Sequence, residues 1–339
     1  MKKLSWLLTL RLISLGILSA VTLQPVKADC PQPVKIIVPY PPGGPDDFIA
    51  RILAQKLSAV GGRFYVENMP GATGMIGTAA AARAAPDGCT LIIVNQNLVT
   101  QPAVGAKNPY SVPDDFTPVT LLLAAPETIS VNPSVPAKTM QELIALAKAN
   151  PGKYNYASPG YGSSPHLAGE RLFAHTLGLD IVHVPFQGGP PAINATVAGH
   201  TQILAITLPL IAPFVKEGKL RLLGIANKTR SAEFPDVPTL EEAGIPGREV
   251  GFWNGVLLPR GASSGIVEQL HRQITQVMSL PDVKEQLAVA GYTTINGSPE
   301  AFAAHLKIEL TKWSAIAREQ NIKLGDDSSA AEVLMPARH

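Results

Sequence analysis

Three stretches of the chain combine Gly, Pro and Ser in a way suited to holding an anion. They are Pro41-Pro42-Gly43-Gly44-Pro45-Asp46-Asp47, Ser158-Pro159-Gly160-Tyr161-Gly162-Ser163-Ser164-Pro165-His166 and Phe186-Gln187-Gly188-Gly189-Pro190. Each follows a short apolar run and precedes a segment of helical pattern. Glycine permits positive φ and lets a ligand approach main-chain N–H groups. The first turn of a helix adds unpaired N–H donors and the positive end of the helix dipole. A strand–loop–helix turn of this kind is therefore an anion seat, and Ser163 and Ser164 contribute hydroxyl donors. Taken singly, each loop is also an ordinary connection with a helix cap. Three in one chain point to a cleft, with Tyr40, Pro42, Gly43, Gly44, Asp47, Ser158, Gly160, Gly162, Ser163, Ser164, His166, Phe186, Gln187 and Gly188 as candidate ligand-binding positions. Asp47 is expected to cap the first helix and position its donors, because its charge repels an anion.

Other motifs suit structural roles as well as chemistry. Gly71-Ala72-Thr73-Gly74-Met75-Ile76-Gly77 spaces its glycines as GxxGxxG, and no GxxxxGK[ST] occurs, so no nucleotide motif is present. Gly261-Ala262-Ser263-Ser264-Gly265 matches the G-x-S-x-G of a nucleophile elbow, with Asp282 and His305 downstream in the right order. Pro259-Arg260 separates the motif from its strand, however, and Ser263 equally suits the N-cap of the next helix. A secreted serine hydrolase using Ser263 is thus the alternative from another class. His166 and Glu170 lie on one helix face without a third metal ligand at sensible spacing, which favours capping or packing. His183, between two valines, reads as a packed strand residue. Trp253 either lines the cleft or fills the core.

The elements that must position these residues follow from apolar periodicity. Ile36–Val38, Phe64–Val66 and Leu91–Val94 read as buried strands, alternating with a helix opened by Asp46 and Asp47 and a small-residue helix over about Met75–Ala84. Non-alternating apolar strands indicate a mainly parallel sheet. Two extended segments, Val119–Leu123 and Thr128–Val131, come next. Thr139 with Glu142 forms a capping box. Then βα units recur: Tyr154–Ala157, Ile181–Val184, Gln202–Ile206 and Leu220–Ile225, with helices from about Pro165, Pro191 and Pro209. After Phe252–Leu258 the chain is helical over Ile266–Met278, Val283–Ala290 and Pro299–Arg318. The expectation is an α/β protein of two lobes around a cleft: residues 29–125 with 226–339, and residues 126–225. Cys30 and Cys89 each stand just before a strand. If those strands are parallel neighbours, the two cysteines can form a disulfide, which export permits.

The composition bounds what such a protein does. The chain has 339 residues, 46% hydrophobic and 16% charged, with 31 Pro, 29 Gly and 2 Cys. That apolar content excludes an intrinsically disordered chain, and two cysteines exclude a four-ligand zinc site or a disulfide-dense scaffold. A net charge of +2 with no basic stripe argues against nucleic-acid binding. Lys2 and Lys3, the apolar run Leu4–Leu23 and Val26-Lys27-Ala28 have the layout of a secretory signal cleaved after Ala28. An uncleaved anchor is the rival, and Asp29 disfavours lipid attachment at Cys30. Cleavage removes Lys2, Lys3, Arg11 and Lys27 and no acid, turning the net charge of +2 into −2. The mature protein is expected to be exported and soluble, as a monomer without cofactor or metal.

The ordered segments resemble the solute receptors of tripartite tricarboxylate transporters, the Bug family. The resemblance covers nearly the whole mature chain. It rests on Ile37-Val38-Pro39-Tyr40-Pro41-Pro42-Gly43-Gly44 with Asp47, on Val66-Glu67-Asn68-Met69-Pro70-Gly71-Ala72-Thr73-Gly74, and on Ala84-Ala85-Pro86-Asp87-Gly88. Asp115-Phe116-Thr117-Pro118, Ser164-Pro165-His166-Leu167-Ala168-Gly169-Glu170, His183-Val184-Pro185-Phe186, Pro235-Asp236-Val237-Pro238-Thr239 and Trp253–Pro259 extend it. It implies a type II periplasmic-binding-protein fold, a carboxylate ligand held by main-chain donors and waters, and delivery to permease subunits in the inner membrane. One departure matters. Ile206 and Thr207 stand where the family commonly has Asp-Asn or Asp-Ser, which suggests a less polar wall and an aliphatic or aromatic carboxylate rather than citrate.

Overall fold

The computed structural model describes residue 30 and residues 33–246 and 251–319. The expected signal segment and its cleavage site lie outside the described residues. The elements run β1 (Val34–Val38), α1 (Pro45–Ala59), β2 (Phe64–Asn68), α2 (Met75–Ala82), β3 (Thr90–Asn95), α3 (Asn97–Ala103) and β4 (Phe116–Val131). They continue with α4 (Met140–Ala149), β5 (Tyr154–Ser158), α5 (Ser164–Glu170), β6 (Ile181–Pro185), α6 (Gly189–Val197), β7 (Ile203–Thr207), α7 (Leu208–Lys216) and β8 (Arg221–Ala226). The last are β9 (Gly251–Pro259), α8 (Ser264–Met278), α9 (Pro281–Val289), β10 (Thr293–Thr294) and α10 (Pro299–Glu319). Among the described residues, no helix is long and apolar enough to cross a membrane.

The strands build two sheet halves that repeat one order. In the first, parallel β2, β1 and β3 are followed by antiparallel β9 and then β4. In the second, parallel β6, β5 and β7 are followed by antiparallel β4 and then β8. The inner parallel strands read VKIIV, TLIIVN and ILAIT, and are almost wholly buried. Such β-branched runs belong where helices cover both sheet faces. The outer strands β2 and β6 are only partly buried.

The helices form as their local sequence dictates. Helix α1 starts with Pro45, whose missing N–H costs nothing in a first turn, and carries Asp46 and Asp47 at the positive dipole end. It buries Ile49, Ile52, Leu53 and Leu57 against the first sheet half. Helix α10 packs Phe302, Leu306 and Trp313 into the core. Gly255 on β9 lies under Phe302, where a Cβ would come within 2.2 Å of the ring. The expected cap at Thr139 is present, its hydroxyl accepting from the Glu142 N–H at 3.1 Å.

Two expectations are corrected. The two extended segments near residue 120 are one 16-residue strand, β4. Helix α3 was not expected. Its buried residues include Asn97, Thr100 and Gln101 beside Leu98 and Val99, so it has no apolar stripe to read. The cysteine pairing is as expected. Strands β1 and β3 are parallel neighbours, and Cys30 and Cys89 are disulfide-bonded with Cα atoms 5.6 Å apart.

The bond links Cys30, ahead of β1, to Cys89, ahead of β3, across a sequence separation of 59. Chain-entropy reasoning gives such a cross-link about 2–4 kcal/mol. A Cys30→Ser, Cys89→Ser variant should lose stability of that order in urea unfolding, with the native circular dichroism spectrum unchanged.

Candidate functional site

A cavity of about 380 Å³ lies where loops from both sheet halves meet. Its wall is made mainly at the carboxyl ends of parallel strands. Pro39, Tyr40 and Pro41 follow β1, Pro70, Gly71, Thr73 and Gly74 follow β2, and Asn95, Gln96 and Asn97 close β3 and open α3. From the other half come Pro159 and Ser163 after β5, Gln187 to Pro190 after β6, and Ile206 and Thr207 ending β7. Ligands of open α/β sheets bind at this end of the strands.

Of the positions expected from sequence, Tyr40, Gly44, Ser163, Ser164, Gln187, Gly188, Ile206 and Thr207 line the cavity. Pro42, Gly43, Asp47, Ser158, Gly160, Gly162, His166, Phe186 and Trp253 are not on its wall. Several of them tie the cavity loops together instead. Asp47 accepts from the Gly43 N–H at 3.0 Å, from the Asn68 amide at 3.0 Å and from Arg51 Nε at 2.8 Å. The carboxylate thus holds the first turn rather than acting as the N-cap, which is Gly44. Its pKa is lowered: Arg51, Gly43 and Asn68 together outweigh the burial that opposes them.

The second loop is tied internally as well. The Gly160 N–H donates to Ser158 Oγ at 3.2 Å, the Gly162 N–H to His166 Nδ1 at 3.0 Å, and the Gly188 N–H to the Pro159 carbonyl at 2.9 Å. Ser163 caps α5, and Ser158 Oγ lies 2.7 Å from His183 Nε2. His166 stacks on His183 with ring centres 4.0 Å apart, and burial pushes the His166 pKa down to about 4. Glu170 accepts from the Tyr156 hydroxyl at 2.7 Å, so the His166–Glu170 pair serves packing. Among the described residues no group of metal-ligating side chains is assembled.

The hydrolase constellation does not assemble. Ser263 caps α8, accepting from the Ile266 N–H, while Asp282 pairs with Lys56 on α1. His305 packs edge-on against Trp253, ring centres 5.1 Å apart. Trp253 itself fills the core against Phe302, and its neighbour Phe252 takes the place on the cavity wall.

The polar side of the cavity was not expected from sequence. Asn95 accepts from the Tyr40 hydroxyl at 3.1 Å and donates to Asp46 at 3.0 Å, and Asn254 donates to the same carboxyl at 2.9 Å. Gln96 donates to Ser164 Oγ at 2.7 Å and to the Gly251 carbonyl at 3.1 Å, and reaches Glu127 Oε1 at 3.4 Å. Its own carbonyl accepts from the Trp253 N–H at 3.0 Å. The Ser164 hydroxyl donates to Glu127 Oε1 at 3.3 Å. Glu127 Oε2 is buried without a partner. Asp46 and Glu127 are 2% and 4% exposed. Loss of hydration favours their neutral forms. Burial raises the Asp46 pKa to about 7, against the hydrogen bonds of Asn95 and Asn254. It raises that of Glu127 to about 8, against Ser164 and Thr207. A signal for Asp46 was present in its place beside Asp47. Glu127 and the Asn95–Asn97 turn had none, because their role depends on β4 and α3.

The fold and this cleft define a type II periplasmic-binding protein. The family described as "Tripartite tricarboxylate transporter family receptor", TctC, matches residues 49–322, and the chain belongs to it. This is a family of solute receptors, not enzymes. BugT of Bordetella pertussis is 33% identical over 320 residues, which are 93% of this chain and 98% of BugT. The periplasmic binding protein BugD superposes with a TM-score of 0.81 at 29% identity, covering 87% of this chain and 99% of that one. MatC of Rhodopseudomonas palustris, solved with bound malate, gives 0.78 at 32% identity over 84% of this chain and 98% of its own. Another protein of R. palustris, Rpa4515 with adipate, gives 0.82 at 29% identity over 86% and 98%.

The two raised carboxyls set a sign for stability against pH. Each folded-state pKa lies above the ordinary values of 3.8 and 4.5, so the folded state holds protons the unfolded chain has lost. Their contribution is complete below about pH 4 and is lost as pH rises toward 8, with a limiting slope of about 1.4 kcal/mol per pH unit for each group. Below about pH 7 the buried His166 and His183, whose pKa values burial lowers, act in the opposite direction, so the unfolding free energy should fall only between about pH 7 and 8.5, and Glu127→Gln should flatten that fall. Parallel urea titrations at several pH values measure both.

Proposed function

We propose that this chain encloses a small carboxylate, aliphatic or aromatic, between two lobes and delivers it to the membrane subunits of a tripartite tricarboxylate transporter. The lobes are residues 29–125 with 226–339, and residues 126–225, the exported chain beginning after cleavage at Ala28 and acting as a monomer. The observation that carries the reading is the cavity itself, whose wall is shared by the loops after β1, β2 and β3 and those after β5, β6 and β7. A solute touching both sets of loops favours their approach, and lobe closure is the signal a permease reads. Malate in MatC and adipate in Rpa4515 support a carboxylate.

The seat of the carboxylate in this reading is the α1 turn at Gly44, faced by Gln187 and Gly188. First-turn N–H groups of a 15-residue helix point there, and a charge-assisted hydrogen bond is stronger than a neutral one. Among the described residues no Lys, Arg or His lines the cavity, and in this reading local N–H and hydroxyl donors draw the anion. Proline rings, Ile206, Leu210 and Phe252 form the apolar remainder of the wall. Ile206 makes the wall poorer in polar partners for a tricarboxylate.

A thermal-shift screen of mono- and dicarboxylates, malate, adipate, benzoate and citrate among them, tests the reading. A ligand at about a hundred times its Kd stabilises by about 2.7 kcal/mol. Aliphatic or aromatic acids should raise the midpoint, and citrate should do so least. Gly44 has φ −85° and nothing nearer than 3.9 Å to an added Cβ, so Gly44→Leu should fold normally. It should weaken the best acid at least about tenfold in calorimetry. A screen in which no acid moves the midpoint refutes the carboxylate, and an unchanged affinity in Gly44→Leu refutes the α1 seat.

A further inference from the structure

We propose that Asp46 couples capture of the solute to uptake of a proton. The receptor takes an ionised carboxylate from solution with Asp46 in its acid form, and holds it less well once Asp46 has ionised. The inference rests on the carboxylate reading above, with the α1 turn as the seat of the anion. It follows from where the Asp46 side chain lies.

Asp46 belongs to the first turn of α1 and lines the cavity beside Gly44 and Pro45. Pro45 brings no N–H to that turn. The Asp46 N–H donates to its own carboxyl. The protein's own acid thus stands at the helix end that seats the solute. Asn95 ending β3 and Asn254 on β9 hold it there, donating at 3.0 and 2.9 Å. The residue is buried, so water screens its charge little.

Two carboxylates at one helix end in an apolar cavity are accommodated together only if one carries a proton or a cation stands by them. No cation is placed to do so. The described residues of the cavity wall include no Lys, Arg or His, and Arg51, further along α1, is given to Asp47 at 2.8 Å. The other titratable groups facing Asp46 are Asp47 on its own helix, Tyr40 beyond β1 and Tyr292 just ahead of β10. Asp47 adds a further negative charge, and burial keeps both phenols in their neutral form. Glu127 on β4 is the remaining acid of the wall.

The proton goes to Asp46 and not to the solute. A free carboxylic acid titrates near pH 4, whereas burial has already raised the Asp46 pKa to about 7. The amides of Asn95 and Asn254 serve either form of the carboxyl, so no bond to them is lost when it is protonated. Capture should therefore take up about half a proton at pH 7 and close to one at about pH 8.

The test is calorimetry with whichever of malate, adipate and benzoate gives the largest thermal shift. Titrations at about pH 7.5 in two buffers of different ionisation enthalpy count the protons bound. The wild-type protein should take up between about half a proton and one, and should bind about fivefold or more weaker at pH 8 than at pH 6.5. Asp46→Asn keeps an oxygen for Asn95 and Asn254 but cannot ionise. It should abolish the uptake and reduce the pH dependence to less than about twofold. Glu127→Gln removes the other acid of the wall and should leave the uptake in place. The wild-type and Glu127→Gln titrations give the proton count independently of how well Asp46→Asn folds. Binding with no proton taken up and an affinity constant over this pH range overturns the inference and leaves the carboxylate reading standing. Uptake that persists in Asp46→Asn, or that disappears in Glu127→Gln, overturns the assignment to Asp46. Absence of binding by all three acids at pH 6.5 refutes the carboxylate reading and the inference with it.

Discussion

The structure hangs on one strand. Residues Phe116 to Pro126 of β4 pair with β9, and residues Glu127 to Val131 pair with β7 and β8. The same backbone thus closes both sheet halves. Its irregularities fall where they cost least. Pro118 stands at a register shift against β9, and Pro126 stands at the change of partner, so the N–H each lacks is not missed from a regular ladder. The residue just past the change of partner is Glu127, opposite Thr207 on one side and Ala226 on the other.

That position explains why an acid is tolerated in the middle of the protein. A glutamate in a continuous sheet would be surrounded by apolar neighbours and left without donors. At the crossing, the end of β3, the start of α5 and the end of β7 converge, and each supplies a polar group in Gln96, Ser164 or Thr207. Asp46 is handled the same way by Asn95 and Asn254. Side-chain amides serve here where a cation would be expected. A buried salt bridge requires both charges to be desolvated, whereas an amide partner lets the carboxyl stay neutral and hydrogen-bonded.

How much of this could be read in the sequence follows from what carries each feature. The inner strands, α1, α8 and α10 are set by apolar residues at regular spacing, and the structure has them within a few residues of expectation. The cysteine pair followed from the parallel neighbours β1 and β3. Strand β4 read as two segments because Ala124-Ala125-Pro126-Glu127 looks like a break, and only the second sheet half turns it into a continuous strand. Helix α3 was invisible for a related reason. Thr100 donates to the Gly162 carbonyl at 2.8 Å and Gln101 to the Tyr161 carbonyl at 3.2 Å, so its polar residues are buried by a loop from the other half. No local pattern announces a polar face that only a distant segment covers.

The glycine-rich loops illustrate a further limit of local reading. Their composition correctly marks tight turns at the carboxyl ends of strands, and several of those turns line the cavity. The same turns spend much of their hydrogen-bonding capacity on themselves: Gly43 on Asp47, Gly160 on Ser158, Gly162 on His166, Gly188 on Pro159. Loops satisfied in this way are rigid before a solute arrives, which lowers the entropy cost of binding but also reduces the donors they can offer.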